Sequence, residues 1–232
     1  MSKHEALPNV WPLVGDVPLD LWLLDLSGMP PHEAIAWLSG EERARAARFV
    51  FPRNRERYFN AHIALRVVLE SYCGIKPHHQ RFRLGPDGKP ALVDPPDCHF
   101  SLSYAGDMAL LGVDYDTPVG VDIECDRPIP DADELSALHF HPRERQALSS
   151  MPDPLRHGAG FLQGWTRKEA CLKALGHGLT MPPAELHSGL KGRRPVRLDG
   201  RTVLEVGCCP PLAGFTAAWA RTVDHAVAQN AR

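Results

Sequence analysis

The sequence has no long apolar run. Nothing in its 232 residues approaches the roughly 20 consecutive apolar positions that a membrane-crossing helix needs. Its opening, Met1-Ser2-Lys3-His4-Glu5, lacks the apolar core of a secretory leader. The expectation is a cytoplasmic protein with no membrane partner. A charge excess is missing too. The formal net charge is −2, which offers no general attraction for nucleic acid, so any anion site must be local. The six cysteines (Cys73, Cys98, Cys125, Cys171, Cys208 and Cys209) form no C-x-x-C pair, which argues against a zinc or redox motif. Six reduced, mostly buried thiols are expected. The histidines are scattered and make no cluster with cysteine.

What is present reads as an ordinary globular chain, 44% apolar and 23% charged, long enough for one large domain or two small ones. Leu19–Leu26 is a short, strongly apolar strand, and Pro31–Leu38 a short helix. Gly40-Glu41-Glu42 opens a second helix, with acids where the helix dipole favours them. A long helix follows from Arg53 to Cys73, stopped by Gly74 and Pro77. Short strands come next at 81–84, 91–93, 99–103, 108–115 and 119–125, with a turn at Gly85-Pro86-Asp87-Gly88. Helices are expected at 131–138, 142–149 and 160–175, the last stopped by Gly176 and Gly178, with 151–160 as a loop. Three strands, near 196–198, 202–206 and 214–220, complete the pattern.

The order of strand, helices and short strands recurs in the two parts of the chain without any residue-level repeat. The expected class is α+β, pseudo-duplicated, with a ligand cleft between the halves. The boundaries are an extended lead-in (1–18), an N-terminal half (19–117), a C-terminal half with the candidate site (118–222) and a frayed tail (223–232).

Two segments carry the chemistry. In Gly120-Val121-Asp122-Ile123-Glu124, residues two apart in a strand face one side, so Asp122 and Glu124 project together roughly 6–7 Å apart. Paired carboxylates repel unless a cation lies between them, although an exposed strand with two solvated acids would show the same spacing. In Trp165-Thr166-Arg167-Lys168-Glu169-Ala170-Cys171-Leu172-Lys173, Trp165, Glu169 and Lys173 share one helical stripe. A surface Glu169–Lys173 ion pair would also fit. The apolar Phe161, Leu162, Trp165 and Leu172 favour a cleft instead. Carboxylate oxygens without His or Cys suit Mg²⁺ beside a phosphate.

These two segments resemble the signature motifs of the Sfp-type 4′-phosphopantetheinyl transferases, in the variant reading Trp/Lys-Glu-Ala. Three patches support the resemblance in order: Arg45 to Arg57 through Arg48-Phe49, Gly88-Lys89-Pro90, and Phe100-Ser101-Leu102-Ser103-Tyr104-Ala105-Gly106. Together they cover roughly residues 20 to 220. The resemblance implies two α+β halves related by a pseudo-twofold axis, with coenzyme A in the cleft. It implies transfer of the phosphopantetheine arm to a serine of an acyl or peptidyl carrier protein, with release of 3′,5′-ADP. Carried over by position, Asp122, Glu124 and Glu169 hold Mg²⁺. Lys173 neutralises the attacked phosphate, and Glu169, directly or through a water, is the base. The same carry-over makes Asp122, Glu169 and Lys173 the catalytic set. Arg45, Arg57, Lys89, Ser103, Tyr104, Lys168 and Lys173 are the coenzyme A contacts it implies. A monomer is expected.

One departure stands out. Where the family has histidine after the serine, this chain has Tyr104, which supplies a hydrogen bond but no positive charge. Weaker discrimination against 3′-dephospho coenzyme A is expected from it. The segment His139–Leu148, with His141, Arg143 and Arg145 beside Phe140 and Leu148, is the candidate surface for an acidic carrier. Two other readings use the same acids. A hydrolase of phosphate esters leaves the Gly-Lys-Pro and Phe-Ser-x-Ser patches unexplained, and a carrier-binding module without catalysis leaves the retained acids and Lys173 unexplained.

Overall fold

The computed structural model describes residues 9–85, 88–176, 181–198 and 202–223. In chain order the elements are β1 (Val10–Pro12), β2 (Asp20–Asp25), α1 (His32–Ile35), α2 (Gly40–Ala47), α3 (Pro52–Cys73), β3 (Phe82–Leu84), β4 (Pro90–Leu92), β5 (His99–Ala105), β6 (Met108–Asp114) and β7 (Val119–Cys125). Then follow α4 (Ala132–His139), α5 (Pro142–Ser149), α6 (Asp153–Arg156), α7 (Ala159–Leu175), β8 (Arg194–Leu198), β9 (Thr202–Cys208) and β10 (Phe215–Val223). The fold is mixed α+β. Two four-stranded antiparallel sheets have the orders β1-β2-β6-β5 and β7-β10-β9-β8, and β3-β4 is a separate hairpin.

Each large sheet is covered by one long helix. Ala61, Ala64, Leu65, Val68 and Leu69 of α3 pack on Leu24, Phe100, Ala109, Leu111 and Val113 of the first sheet. Ala170, Cys171, Leu172 and Ala174 of α7 pack on Val196, Leu204, Val206, Ala218 and Ala220 of the second. A third cluster joins the sheets, with Leu21 and Leu110 of the first against Val119, Val121, Ile123 and Trp219 of the second. Strand β6 is therefore buried on both faces. Leu110 points to the shared cluster while Ala109, Leu111 and Val113 point to α3, so its sequence is a continuous apolar run instead of an alternation. Gly74 and Gly176 end α3 and α7 in the left-handed conformation, at φ 68° and 72°.

Several expectations shift. The lead-in includes an edge strand, β1, paired with β2. Residues 151–160 hold a short helix, α6, which two prolines in the segment obscured. Pro52 opens α3 instead of preceding it, since proline fits the first turn, where its missing N–H is not needed. The tail beyond Val223, residues 1–8, Gly178 and the centre of the turn at Pro86-Asp87 lie outside the described residues. No disulfide forms; Cys98 and Cys171 are buried, and the other four thiols are partly buried. Among the described residues, no helix is long and apolar enough to cross a membrane.

Two buried ion networks anchor the helices. Glu42 closes a capping box on α2 with Ser39, whose hydroxyl accepts from the Glu42 N–H at 3.1 Å. The same carboxylate binds His62 at 2.9 Å and the buried guanidinium of Arg66, both on α3. Burial alone would raise the Glu42 pKa. The bonds from His62, Arg66 and the Ser39 N–H outweigh it and hold the carboxyl at about 2.

The second network corrects an expectation for Lys168. Its side chain is wholly buried and pairs with the equally buried Glu144 of α5 at 2.6 Å. It also donates to the carbonyls of Pro183 and Leu186. Glu144 accepts in turn from Ser188 Oγ and the Gly189 N–H. Arg167 donates to the carbonyls of Ser188 and Gly192. Lys168 and Arg167 thus bind α7 to α5 and to the 183–192 loop. Lys168 has no face left for a ligand, because it lies on the side of the helix opposite to the solvent.

A carboxyl held below its ordinary value contributes stability above that value and loses it as pH falls through the lowered one. Glu42→Gln is expected to cost roughly 3 kcal/mol at pH 7. The difference from wild type should shrink as pH drops from 4.5 toward 2 in denaturant titrations. Lys168→Met, which strands the Glu144 charge, is expected to cost about 3 kcal/mol or more. Lys168→Met/Glu144→Leu should recover part of that loss in thermal melts, and an additive double-mutant cycle would refute the coupling.

Candidate active site

The site begins with a missing side chain. Gly120 faces α7, where an added Cβ would lie 2.0 Å from the Ala170 carbonyl oxygen and 2.4 Å from the Ala174 nitrogen. Helix and strand therefore touch backbone to backbone. Asp122 and Glu124 follow Gly120 at steps of two on the same face of β7, toward α7. The α7 spacing of four then brings Glu169 and Lys173 to that face.

Lys173 crosses to the strand. Its ammonium donates to Asp122 Oδ1 at 2.7 Å and to Ser103 Oγ of β5 at 3.0 Å, while Ser103 donates to the same Oδ1 at 2.8 Å. Three elements thus meet on one carboxylate oxygen. Lys173 goes to Asp122 and makes no ion pair with Glu169. Ser103 is 6% exposed and works here as a support for Asp122. Its neighbour on the same face, Ser101, accepts from the Val121 N–H at 3.1 Å and ties β5 to β7, a role the sequence reading missed. The alternation Ser101-Leu102-Ser103 was its signal.

The second oxygen of Asp122 is different. Asp122 is only 5% exposed, yet Oδ2 is buried without a hydrogen-bond partner. A buried carboxylate oxygen with its lone pairs unused is a costly feature, and its chemistry suits a hard cation as partner. Burial raises the Asp122 pKa, Lys173 and Ser103 oppose this, and Glu124 adds to it. Burial also raises the Glu169 pKa, with Asp122 and Glu124 adding repulsion and Lys173 opposing. Three carboxylates therefore share one field. Among the described residues, no three His, Cys, Asp or Glu side chains stand grouped as a ready metal site. The physical reason lies in the counter-charges: Lys173 takes Asp122 Oδ1, and Arg127 holds Glu124 at 2.9 Å. The donor set is that of a hard cation, without the closed arrangement expected for Asp122, Glu124 and Glu169.

The basic residues divide. Lys89 donates to the carbonyls of Val119 and Lys173, each at 2.6 Å, and so clasps β7 to α7. Burial and the nearby Lys173 push its pKa down to about 8. Lys89 thus spends two of its three ammonium hydrogens on backbone at the strand–helix junction. Arg57 is bound to Asp107 at 2.7 Å, and Arg53 holds the other oxygen of the same carboxylate. Arg45 stays exposed and, with Arg48 and Phe49, lines a basin of about 430 Å³. Tyr104 is half-exposed, with its hydroxyl 3.4 Å from Nε2 of His62. Sequence reasoning missed His62, although its place one helical turn after Tyr58 was legible. In the expected carrier surface, Phe140 and Leu148 turn inward, 1% exposed, and leave Arg143 and Arg145 outside.

A family model described as the 4′-phosphopantetheinyl transferase superfamily matches residues 118–204, the span that holds Asp122, Glu124, Glu169 and Lys173. The chain is 36% identical over 205 residues to the 4′-phosphopantetheinyl transferase HetI of Nostoc sp., covering 86% of each chain. It is 34% identical over 175 residues to a putative 4′-phosphopantetheinyl transferase of Synechocystis sp., covering 75% of this chain and 66% of the relative. It is 28% identical over 148 residues to the transferase Sfp of Bacillus subtilis, covering 64% of each. The chain belongs to the Sfp-type 4′-phosphopantetheinyl transferase family, and is an enzyme of that class.

Proposed function

We propose that this enzyme moves the phosphopantetheine arm of coenzyme A to the serine of an acyl or peptidyl carrier protein. The observation that carries the reading is the cluster on Asp122, in which one oxygen is held by Lys173 and Ser103 and the other is buried and unused. In the reaction the carrier serine oxygen forms a bond to the phosphorus that bears the pantetheine arm. The bond from that phosphorus to the bridging oxygen breaks, and 3′,5′-ADP departs with the electron pair. The serine proton passes to Glu169, directly or through a water. Lys173 presents a fixed positive charge to the phosphoryl oxygens, and phosphoryl transfer depends chiefly on such positioning and neutralisation.

Asp122, through its free oxygen, with Glu124 and Glu169, would hold Mg²⁺. Bound there, the ion supplies charge neutralisation for the diphosphate. The two sheet-and-helix units, 19–117 and 118–222, support a pseudo-twofold pair of halves with coenzyme A in the cleft between them. The exposed Arg45 fits the phosphate-bearing nucleotide end. A monomer suffices, because both units come from one chain. The same reading places the enzyme in the cytoplasm with coenzyme A, and the balanced charge offers nothing to nucleic acid.

Intact-mass spectrometry of a purified apo carrier protein, incubated with the enzyme, coenzyme A and Mg²⁺, tests the whole reading. A gain of one phosphopantetheine is expected. It should vanish with EDTA and fall at least roughly a hundredfold in rate with Glu169→Ala. Carriers of several classes left unmodified by folded enzyme would defeat it. Charge reversal at the exposed Arg143 and Arg145 is expected to raise the carrier KM several-fold while coenzyme A affinity holds. An unchanged carrier KM would remove α5 from the docking surface.

A further inference from the structure

The two large sheets meet along β5 and β7 without a shared ladder. Strand β7 pairs with β10, and the Thr222 N–H donates to the Pro118 carbonyl at 3.0 Å. From that bond the antiparallel alternation turns the main chain of Gly120, Asp122 and Glu124 toward β10. The N–H and C=O groups of Val119, Val121 and Ile123 therefore point the other way, toward β5. Among the described residues, no main-chain hydrogen bond joins β5 to β7. Side chains from the first unit meet that edge instead. Lys89 donates to the Val119 carbonyl at 2.6 Å, and Ser101 accepts from the Val121 N–H at 3.1 Å. Both valines are fully buried, so these backbone groups depend on protein partners.

Phe100 and Leu102 of β5 pack toward α3, which leaves Ser101 and Ser103 together on the opposite face. Their hydroxyls grip adjacent residues of β7. Ser101 holds the main chain of Val121, and Ser103 donates to the side chain of Asp122 at 2.8 Å. A single bond between two strands is a pivot. Two bonds to neighbouring residues fix both the sliding and the tilt of one strand against the other. Ser101 is itself buried, and among the described residues it bonds none of the ionised groups of the site. What it governs is the place of the strand that carries them. That place matters for a hard cation, because Mg²⁺ takes its oxygens at about 2.0–2.1 Å in nearly octahedral geometry and tolerates little displacement.

We propose that Ser101 is a positioning residue for the divalent cation. By accepting the Val121 N–H it sets β7 against β5, and so it places the unpartnered Oδ2 of Asp122 for the metal. Its effect runs through Val121 and Asp122, and it touches neither substrate nor ion. Without this hydroxyl the Val121 N–H is buried with no acceptor, a costly state. Strand β7 can relieve that cost only by shifting, which moves Asp122 relative to Ser103 and Lys173, the two groups that hold its other oxygen. The inference rests on the proposed reading of Asp122, Glu124 and Glu169 as the Mg²⁺ ligands. It adds a residue from the other unit of the chain that the ligand set alone does not include.

Mn²⁺ added stepwise to the full chain with coenzyme A present, with the free ion read by electron paramagnetic resonance, tests this role. Ser101→Ala is expected to raise the Mn²⁺ Kd about tenfold, a loss in the range set by one buried hydrogen bond. The Mg²⁺ concentration for half-maximal carrier modification should rise in step, while the KM for coenzyme A at saturating metal holds. Hydrogen exchange at the Val121 amide should quicken in the same variant. Ser101→Thr keeps the hydroxyl on a side chain suited to a strand, and should restore both the Mn²⁺ Kd and the slow exchange. Ser101→Cys, close to serine in size but a weak acceptor, should show the same weakening and serves if Ser101→Ala does not fold. Wild-type Mn²⁺ affinity in a folded Ser101→Ala or Ser101→Cys chain would overturn the role of Ser101 and leave the Mg²⁺ reading intact. So would a rise in the coenzyme A KM equal to that in the Mn²⁺ Kd. Folded wild type that binds no Mn²⁺ and modifies its carrier without added metal would overturn the Mg²⁺ reading and this role together.

Discussion

The backbone contact between β7 and α7 is the constraint on which the site depends. Gly120 has no side chain because Ala170 and Ala174 occupy the space that one would need. From that contact the periods of the two elements do the rest. Steps of two along β7 bring Asp122 and Glu124 to the helix side, and steps of four along α7 bring Glu169 and Lys173 to the strand side. Lys89 reinforces the contact from the first sheet's side of the chain, bonding one carbonyl on each element. A wider gap would leave Lys173 short of Asp122, and with it the charge that opposes the burial of that carboxylate.

Buried charge in this protein is divided among separate partners. Lys173 answers Asp122, Lys168 answers Glu144, and Arg66 with His62 answers Glu42. The last two pairs are closed, with both carboxylate oxygens of Glu144 and of Glu42 used in holding a helix or loop. The first is open, since Asp122 Oδ2 has nothing to bind. The contrast separates structural from functional ionisation. A closed network lowers the cost of burial within the fold itself, whereas an open one retains a cost that a ligand can relieve. Adjacent residues of α7 thus have unlike tasks. Arg167 and Lys168 fasten the helix from one side while Glu169 faces the site.

The long elements were legible because their signals are local. The apolar periodicity and the stops at Gly74 and Gly176 delimited α3 and α7 to within a residue or two. The run from Val119 to Cys125 was legible as a strand from its β-branched residues. Helix α6 was not, because prolines before and within its first turn look the same whether they begin a helix or interrupt one. Edge strand β1 was missed for a related reason: three residues carry no period, and their pairing with β2 is a long-range choice.

Sequence alone determined which carboxylates share a face and that a lysine follows Glu169 by one helical turn, since both are consequences of backbone geometry within one element. Family membership was legible as well, because its motifs are contiguous. Tertiary structure decided which lysine reaches the site. Lys168 and Lys173 lie on one helix five residues apart, and only packing against α5 and the 183–192 loop withdraws the first from ligand. It decided that Lys89 fastens backbone at the strand–helix junction, and that His62, forty-two residues before Tyr104, stands directly behind it. Such assignments depend on burial and on which distant chain arrives beside a group, and neither is encoded in the spacing of neighbouring residues.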